Sequence, residues 1–166
     1  MICHQRLLKI LAYDTNTGEF IWRVSLNARG PVKEVAGCIS MQQGRSARRV
    51  IGIDGRMYLA HRLAWFYVHG VWPKHQIDHI NGYALDNRIS NLREANNSQN
   101  HQNLKRARKD NKSSRLLGVS KNYAGRWRAR IYFEGKEISL GTFSSAIKAY
   151  RAYLIAKKKF HPYGTL

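Results

Sequence analysis

Apolar residues in the first sixty positions come in short bursts divided by turn formers. Phe20-Ile21-Trp22-Arg23-Val24 is rich in aromatic and β-branched types and follows the turn run Asp14-Thr15-Asn16-Thr17-Gly18, which predicts a strand. Val35-Ala36-Gly37-Cys38-Ile39 predicts a second, and Arg49-Val50-Ile51-Gly52-Ile53 a third. The pair Asp54-Gly55 then separates that run from Met57-Tyr58-Leu59, and Asp-Gly between two apolar runs signals a tight hairpin. This region reads as a small antiparallel scaffold.

The period changes at residue 60. Leu63, Phe66 and Tyr67 recur at helical spacing, Gly70 is a C-terminal stop, and Pro73 forbids continuation, so residues 60–70 predict a helix packed on the scaffold. Gln76-Ile77-Asp78-His79-Ile80 predicts a strand, Asn81-Gly82 opens a loop that continues through Asp86 to Ser90, and Asn91-Leu92-Arg93-Glu94-Ala95 predicts a second strand. Ser98 can cap a helix running through Asn100. The order is strand, loop, strand, helix.

Residues 105–115 hold six basic residues and one acid with no apolar period, which reads as a linker or arm in which Lys105, Arg106, Arg108 and Lys109 can meet phosphate. Beyond it Leu117-Gly118-Val119-Ser120, Arg126 to Phe133 and Glu137 to Gly141 predict three strands with turns at 123–125 and 134–136. In the middle strand Arg126, Arg128 and Arg130 fall on one face, and Trp127, Ala129 and Ile131 on the other. Ser144 or Ser145 caps a final helix whose Ala- and Tyr-rich face would cover the sheet. The whole reads as an α+β chain in three parts: a β-rich domain at 1–104, a linker at 105–115, and three strands with one helix at 116–166.

Charge sharpens this picture. The chain carries 29 Lys+Arg against 10 Asp+Glu, a formal +19, and +13 of that lies after residue 100. A field of this size attracts polyanions and fits a nucleic-acid partner, with the C-terminal part as the principal electrostatic binder. No apolar run reaches the roughly 18 residues of a membrane span, and the start lacks a signal peptide's long apolar segment. Cys3 and Cys38 form no Cys-x-x-Cys pair, which excludes a four-cysteine zinc knuckle and fits a reducing compartment such as the cytoplasm.

The chemistry concentrates in Ile77-Asp78-His79-Ile80-Asn81-Gly82, with Asn91 and Asn100 following 13 and 22 residues after Asp78. A carboxylate and an amide can hold a hard divalent cation, and a neighbouring imidazole can deprotonate water, which together is what phosphodiester hydrolysis needs. With Ala60-His61-Arg62-Leu63-Ala64-Trp65 upstream and Asp86-Asn87-Arg88-Ile89-Ser90-Asn91-Leu92-Arg93 between, this set resembles the HNH (ββα-metal) nucleases, particularly phage and intron-borne homing endonucleases. The resemblance implies two strands and a helix around one divalent cation, Mg2+ or Mn2+. It makes Asp78 and Asn100 the metal ligands, His79 the general base, and Asn91 the residue that orients His79. His101 is a lesser ligand candidate, and His61 is structural or phosphate-contacting. His161 is expected at the surface.

Leu117-Gly118-Val119-Ser120, Gly125-Arg126-Trp127-Arg128-Ala129-Arg130-Ile131 and Leu140-Gly141-Thr142-Phe143 resemble the Apetala/ERF-type DNA-binding domain of plant transcription factors, which also occurs attached to HNH endonucleases. That implies a three-stranded sheet in the major groove, with Arg126, Arg128 and Arg130 facing it and Trp127 in the core or against sugar. The expected function is a metal-dependent homing-type endonuclease that nicks double-stranded DNA at a preferred site, acting as a monomer or weak dimer. The alternative is a non-catalytic, sequence-specific DNA-binding regulator.

Overall fold

Residues 1–26, 32–41, 46–104, 107 and 111–164 are described by a computed structural model, and the chain divides into two units, Met1–Ala95 and Asn96–Leu166. Lys105, Arg106, Arg108 and Lys109 lie outside the described residues.

The first unit opens with a helix where only short strands were expected: α1 spans His4–Ile10. Leu7 and Ile10 stand three apart and are fully buried, so tertiary packing sustains a segment too short to be helical alone. β1 (Leu11–Tyr13) and β2 (Phe20–Trp22) pair antiparallel. Between them the Asp14 side chain accepts the Asn16 amide at 2.8 Å, and Gly18 closes the turn at φ +76°. β3 (Cys38–Ser40), β4 (Arg48–Ile53) and β5 (Arg56–Leu59) form an antiparallel sheet in that order. Asp54 and Gly55 both take positive φ, the two-residue turn that matches strand twist. The strand expected at 35–39 is shifted to Cys38–Ser40; Val35 keeps a single bridge to Ile21.

α2 (Ala60–His69) ends at Gly70, whose left-handed φ of 72° lets its N–H reach the Phe66 carbonyl at 3.0 Å. Its inward stripe also buries His61, and Ala60, Leu63, Ala64 and Phe66 join Leu7, Ile10, Leu11, Phe20, Ile51 and Ile53 in one core. β6 (Gln76–His79) and β7 (Leu92–Ala95) then pair antiparallel, with Asp78 opposite Arg93 and His79 opposite Leu92. Asn91 closes a 3-10 turn at Ile89–Asn91 and so precedes β7, whereas the sequence placed it in the strand.

In the second unit α3 (Asn97–Gln102) is capped by Asn96, not Ser98. Asn96 Oδ1 accepts the Gln99 amide at 2.9 Å, and Gln99 Oε1 accepts the Asn96 amide at 2.9 Å. This reciprocal box needs its acceptor three residues before the Gln, a spacing Ser98 does not have. β8 (Val119–Lys121), β9 (Trp127–Phe133) and β10 (Lys136–Phe143) make an antiparallel sheet with β9 central, and α4 (Ala146–Phe160) follows. Of the two candidate caps it is Ser145 that accepts the Lys148 amide, at 3.3 Å. Ala129 and Ile131 of β9 are buried in clusters with Ala149, Tyr153 and Ala156 of α4. Gly118, at φ +71°, has the Tyr153 ring so close that a Cβ would meet it at 2.1 Å, so only glycine fits there.

His161, expected at the surface, is buried and donates from Nε2 to the Tyr132 carbonyl at 2.7 Å. A lone histidine near a terminus gives no periodic signal of burial. Lys157 is also buried, and its ammonium donates to the Leu104 carbonyl at 2.6 Å. Both units combine helices with small antiparallel sheets, compatible with the α+β class. Among the described residues no helix is long and apolar enough to cross a membrane.

Candidate functional site

Strand alternation divides the Asp78-His79 pair. Ile77 and His79 are buried, while Asp78 projects on the other face of β6. There its Oδ2 accepts Arg93 Nε at 3.1 Å and Nη2 at 2.8 Å, a fork from the residue directly across the ladder. His79 faces inward. Its Nε2 lies 3.2 Å from Asn87 Oδ1, and its ring meets the His61 ring edge-on at 5.1 Å. An amide oxygen only accepts, so Nε2 carries the proton and the lone pair sits on Nδ1.

Asn91, expected to orient His79, directs its recorded hydrogen bonds to the loop that joins β6 to β7. Its Oδ1 accepts the Asn81 amide at 2.9 Å, and its Nδ2 donates to Asn81 Oδ1 at 3.1 Å and the Asp86 carbonyl at 2.8 Å. Asp86 adds a second brace, accepting Asn81 Nδ2 at 2.7 Å and the Arg88 guanidinium at 2.6 Å. The Arg88 hydrogen bonds hold the Asp86 carboxyl down to about 2, so the brace stays charged at neutral pH. The amide that bonds His79 is Asn87, 2% exposed and carried by this same braced loop. The sequence reading gave Asn87 only a loop-shaping role. Its one signal was a position between the charged Asp86 and Arg88.

Burial pushes the His79 pKa below its ordinary value, with Arg48 acting in the same direction; the Asn87 hydrogen bond and the Asp78 charge oppose it. His79 is therefore neutral at pH 7, the state a proton acceptor needs. Burial lowers His61 more strongly, to about 3, with the charges of His79, Arg48 and Arg62 adding to it. Between about 3 and 6.5 the unfolded His61 binds a proton that the folded one refuses. Stability from this residue is therefore complete above about pH 6.5 and is lost as pH falls, by at most about 1.4 kcal/mol per unit. Urea midpoints of wild type and His61→Gln at neutral and mildly acidic pH measure this. Wild type should lose more stability on acidification, and equal losses would refute the assignment.

The second predicted metal ligand, Asn100, is half-buried on α3 in the second unit. His101 lies beside it and is exposed. Asp78 and Asn100 offer oxygen donors alone, the chemistry of Mg2+ or Mn2+ rather than of thiolate-bound metals. Among the described residues no cluster of three His, Cys, Asp or Glu could hold a metal.

In the second unit Arg128, Arg130 and Tyr132 share the β9 face turned away from α4, and Arg126 precedes the strand, exposed. Trp127 is half-buried against Val119, Ala129 and Ala149, with the Lys121 ammonium 5.8 Å from its ring centre. A residue missed by sequence reasoning lies among the arginines. Glu137 of β10 accepts Arg128 at 2.5 Å and Arg130 at 3.0 Å, and accepts the Tyr132 hydroxyl as well. Strand register explains it: Glu137 stands opposite Tyr132, and the Arg side chains reach along the face. The Tyr132 hydrogen bond and the two guanidinium groups hold the Glu137 carboxyl below its usual range, so it is anionic in use.

The chain matches no curated protein and no solved structure. One family model does match, over residues 58–102, from the end of β5 through α2, β6, β7 and α3. That span contains His61, Asp78, His79, Asn87, Asn91 and Asn100, and the family it describes is HNH endonuclease, which supports a nuclease acting on DNA.

Proposed function

We propose that this chain is a homing-type HNH endonuclease that nicks double-stranded DNA at a preferred site in a metal-dependent reaction. The observation that carries the proposal is the state of His79: neutral, with a single tautomer set by Asn87, beside Asp78 and inside the matched segment. In the proposed reaction Nδ1 of His79 takes a proton from water as that oxygen bonds to phosphorus. The bond from phosphorus to the 3′ oxygen breaks, and the 3′ oxygen leaves and takes a proton from solvent water to become a hydroxyl. A divalent cation held by Asp78 and Asn100 would polarise the phosphate and stabilise charge on the leaving oxygen. Arg93 fixes the Asp78 carboxylate, and Asn91 acts on His79 through the loop it braces. One such site cuts one strand, so supercoiled plasmid with Mg2+ should convert to open circles, and an intact supercoiled band after prolonged incubation would refute the reading.

The second unit supplies most of the DNA affinity in this proposal, through a sheet of Apetala/ERF type and the basic run at 105–115. The +13 after residue 100, the exposed Arg126 and the half-exposed Arg128 and Arg130 support it. If Arg126 and Arg128 read bases, Arg126→Ala and Arg128→Ala should each cost about 1–3 kcal/mol of discrimination at a defined base pair. Uniform weakening on all sequences would assign them to phosphate alone. Glu137→Gln removes the anion that competes with DNA for two guanidinium groups. It should tighten binding at low salt and steepen the salt dependence, because each newly neutralised phosphate adds a slope of about −0.9. Unchanged affinity would remove this face from the interface.

A further inference from the structure

Asn87 lies 69 or more residues along the chain from its closest N-terminal neighbours, Tyr13 and Gly18, yet both grip its backbone. The Tyr13 hydroxyl donates to the Asn87 carbonyl at 2.7 Å. Gly18 lies so near that a Cβ on it would stand 2.4 Å from the Arg88 nitrogen and 2.5 Å from the Asn87 carbonyl carbon. The Tyr13 ring is itself wedged between Phe20 of β2, with centroids 4.8 Å apart, and Tyr67 of α2, at 5.6 Å. The loop is thus braced on one side by Asn81, Asp86 and Asn91, and on the other by a hairpin rooted in the main core.

We propose that the β1–β2 hairpin, which precedes the family-matched segment, is a clamp that positions the His79 ring: Tyr13 and Gly18 fix the backbone of Asn87, and Asn87 Oδ1 fixes the tautomer and tilt of His79. The catalytic consequence rests on the nuclease reading above; the clamp itself does not. Tyr13 and Gly18 are positioning residues, since neither reaches the reacting atoms. A base must hold its geometry closely, and a displacement of about 1 Å can cost on the order of 10²-fold in rate. The bonds among Asn81, Asp86 and Asn91 do not fix a rotation of Asn87 about its own backbone. The hydroxyl on its carbonyl and the close glycine do.

The test uses the full chain with 15N-labelled histidine, read at about pH 8, where an imidazole is neutral. Ring 15N shifts report which nitrogen carries the proton. Wild type should show His79 as the Nε2–H tautomer. Tyr13→Phe, which removes a hydroxyl and little else, should give a mixture of tautomers, and Gly18→Ala, which drives a methyl into the loop backbone, a larger one. Asn87→Asp keeps an acceptor oxygen and should restore the wild-type tautomer, whereas Asn87→Leu should not. In cleavage assays well below each variant's melting temperature, Tyr13→Phe should lower kcat by about 10-fold or more and leave KM little changed, the split of an interaction used in the transition state. A merely structural Tyr13 would lower the melting temperature and move neither tautomer nor kcat, and that result overturns the clamp. If the tautomer shifts as expected but wild type cuts no DNA, the clamp stands and the nuclease reading falls.

Discussion

His79→Ala should reduce cleavage by about 10²–10⁴-fold while leaving DNA affinity nearly unchanged. The expected loss is that of a general base, needed only as water attacks phosphorus, whereas binding rests on a basic surface to which His79 contributes nothing: it is buried and uncharged at pH 7. The depressed pKa adds a second expectation. The acid limb of the rate profile should lie below the ordinary histidine value of about 6.5, because burial outweighs the Asn87 hydrogen bond and the Asp78 charge that favour the protonated ring. Single-turnover cleavage with saturating enzyme separates chemistry from binding. A variant that cuts at the wild-type rate would end the assignment of His79 as base.

Chelation should have an effect of similar size. With EDTA, cleavage should stop, and Mg2+ or Mn2+ should restore it. Asp78→Ala should remove most activity at any accessible metal concentration, because it deletes the charged oxygen donor and leaves the partly buried Arg93 guanidinium without the carboxylate it forks onto. Asn100→Ala deletes a neutral donor and should instead raise the metal concentration needed for half-maximal rate. Full activity in EDTA would overturn the metal-dependent reading for both residues.

Much of the scaffold was legible from residue pattern. The helix at 60–70 announced itself by the spacing of Leu63 and Phe66 and by Gly70, and the Asp54-Gly55 hairpin by its turn residues. The Arg-out, Ala-in alternation of β9 was legible because a strand has a strict period of two. α1 was not, since seven residues with two buried positions carry too little periodicity to stand out. Asp78 and His79 stood out by type and adjacency. The partners that give each its state did not: Arg93 is paired to Asp78 by register, and Asn87 to His79 by a loop closing over a strand end. Glu137 was hidden for the same reason, as its bonds to Arg128 and Arg130 cross between strands. What composition conveys is which groups are available. Which groups meet is decided by long-range closure.

The boundary between Ala95 and Asn96 falls inside the family-matched stretch, so α3, the last element of that stretch, belongs to the same unit as the basic sheet. Within that unit the C-terminal segment reaches back to α3 and the residues just past it: the Tyr163 amide donates to Gln102 Oε1 at 3.4 Å, and Lys157 of α4 donates to the Leu104 carbonyl. Recombination that exchanges the C-terminal module at the charged run would therefore also remove the anchors of the helix bearing Asn100. A chimera keeps those anchors only if the joint is placed before Asn96, or if Lys157 and the segment around Tyr163 travel with the recipient. If the second unit reads the target as proposed, that specificity is not a freely exchangeable cassette. On the proposed reading, retargeting by point substitution on the face of β9 turned from α4 leaves α3 anchored, and is the more economical route to a new address.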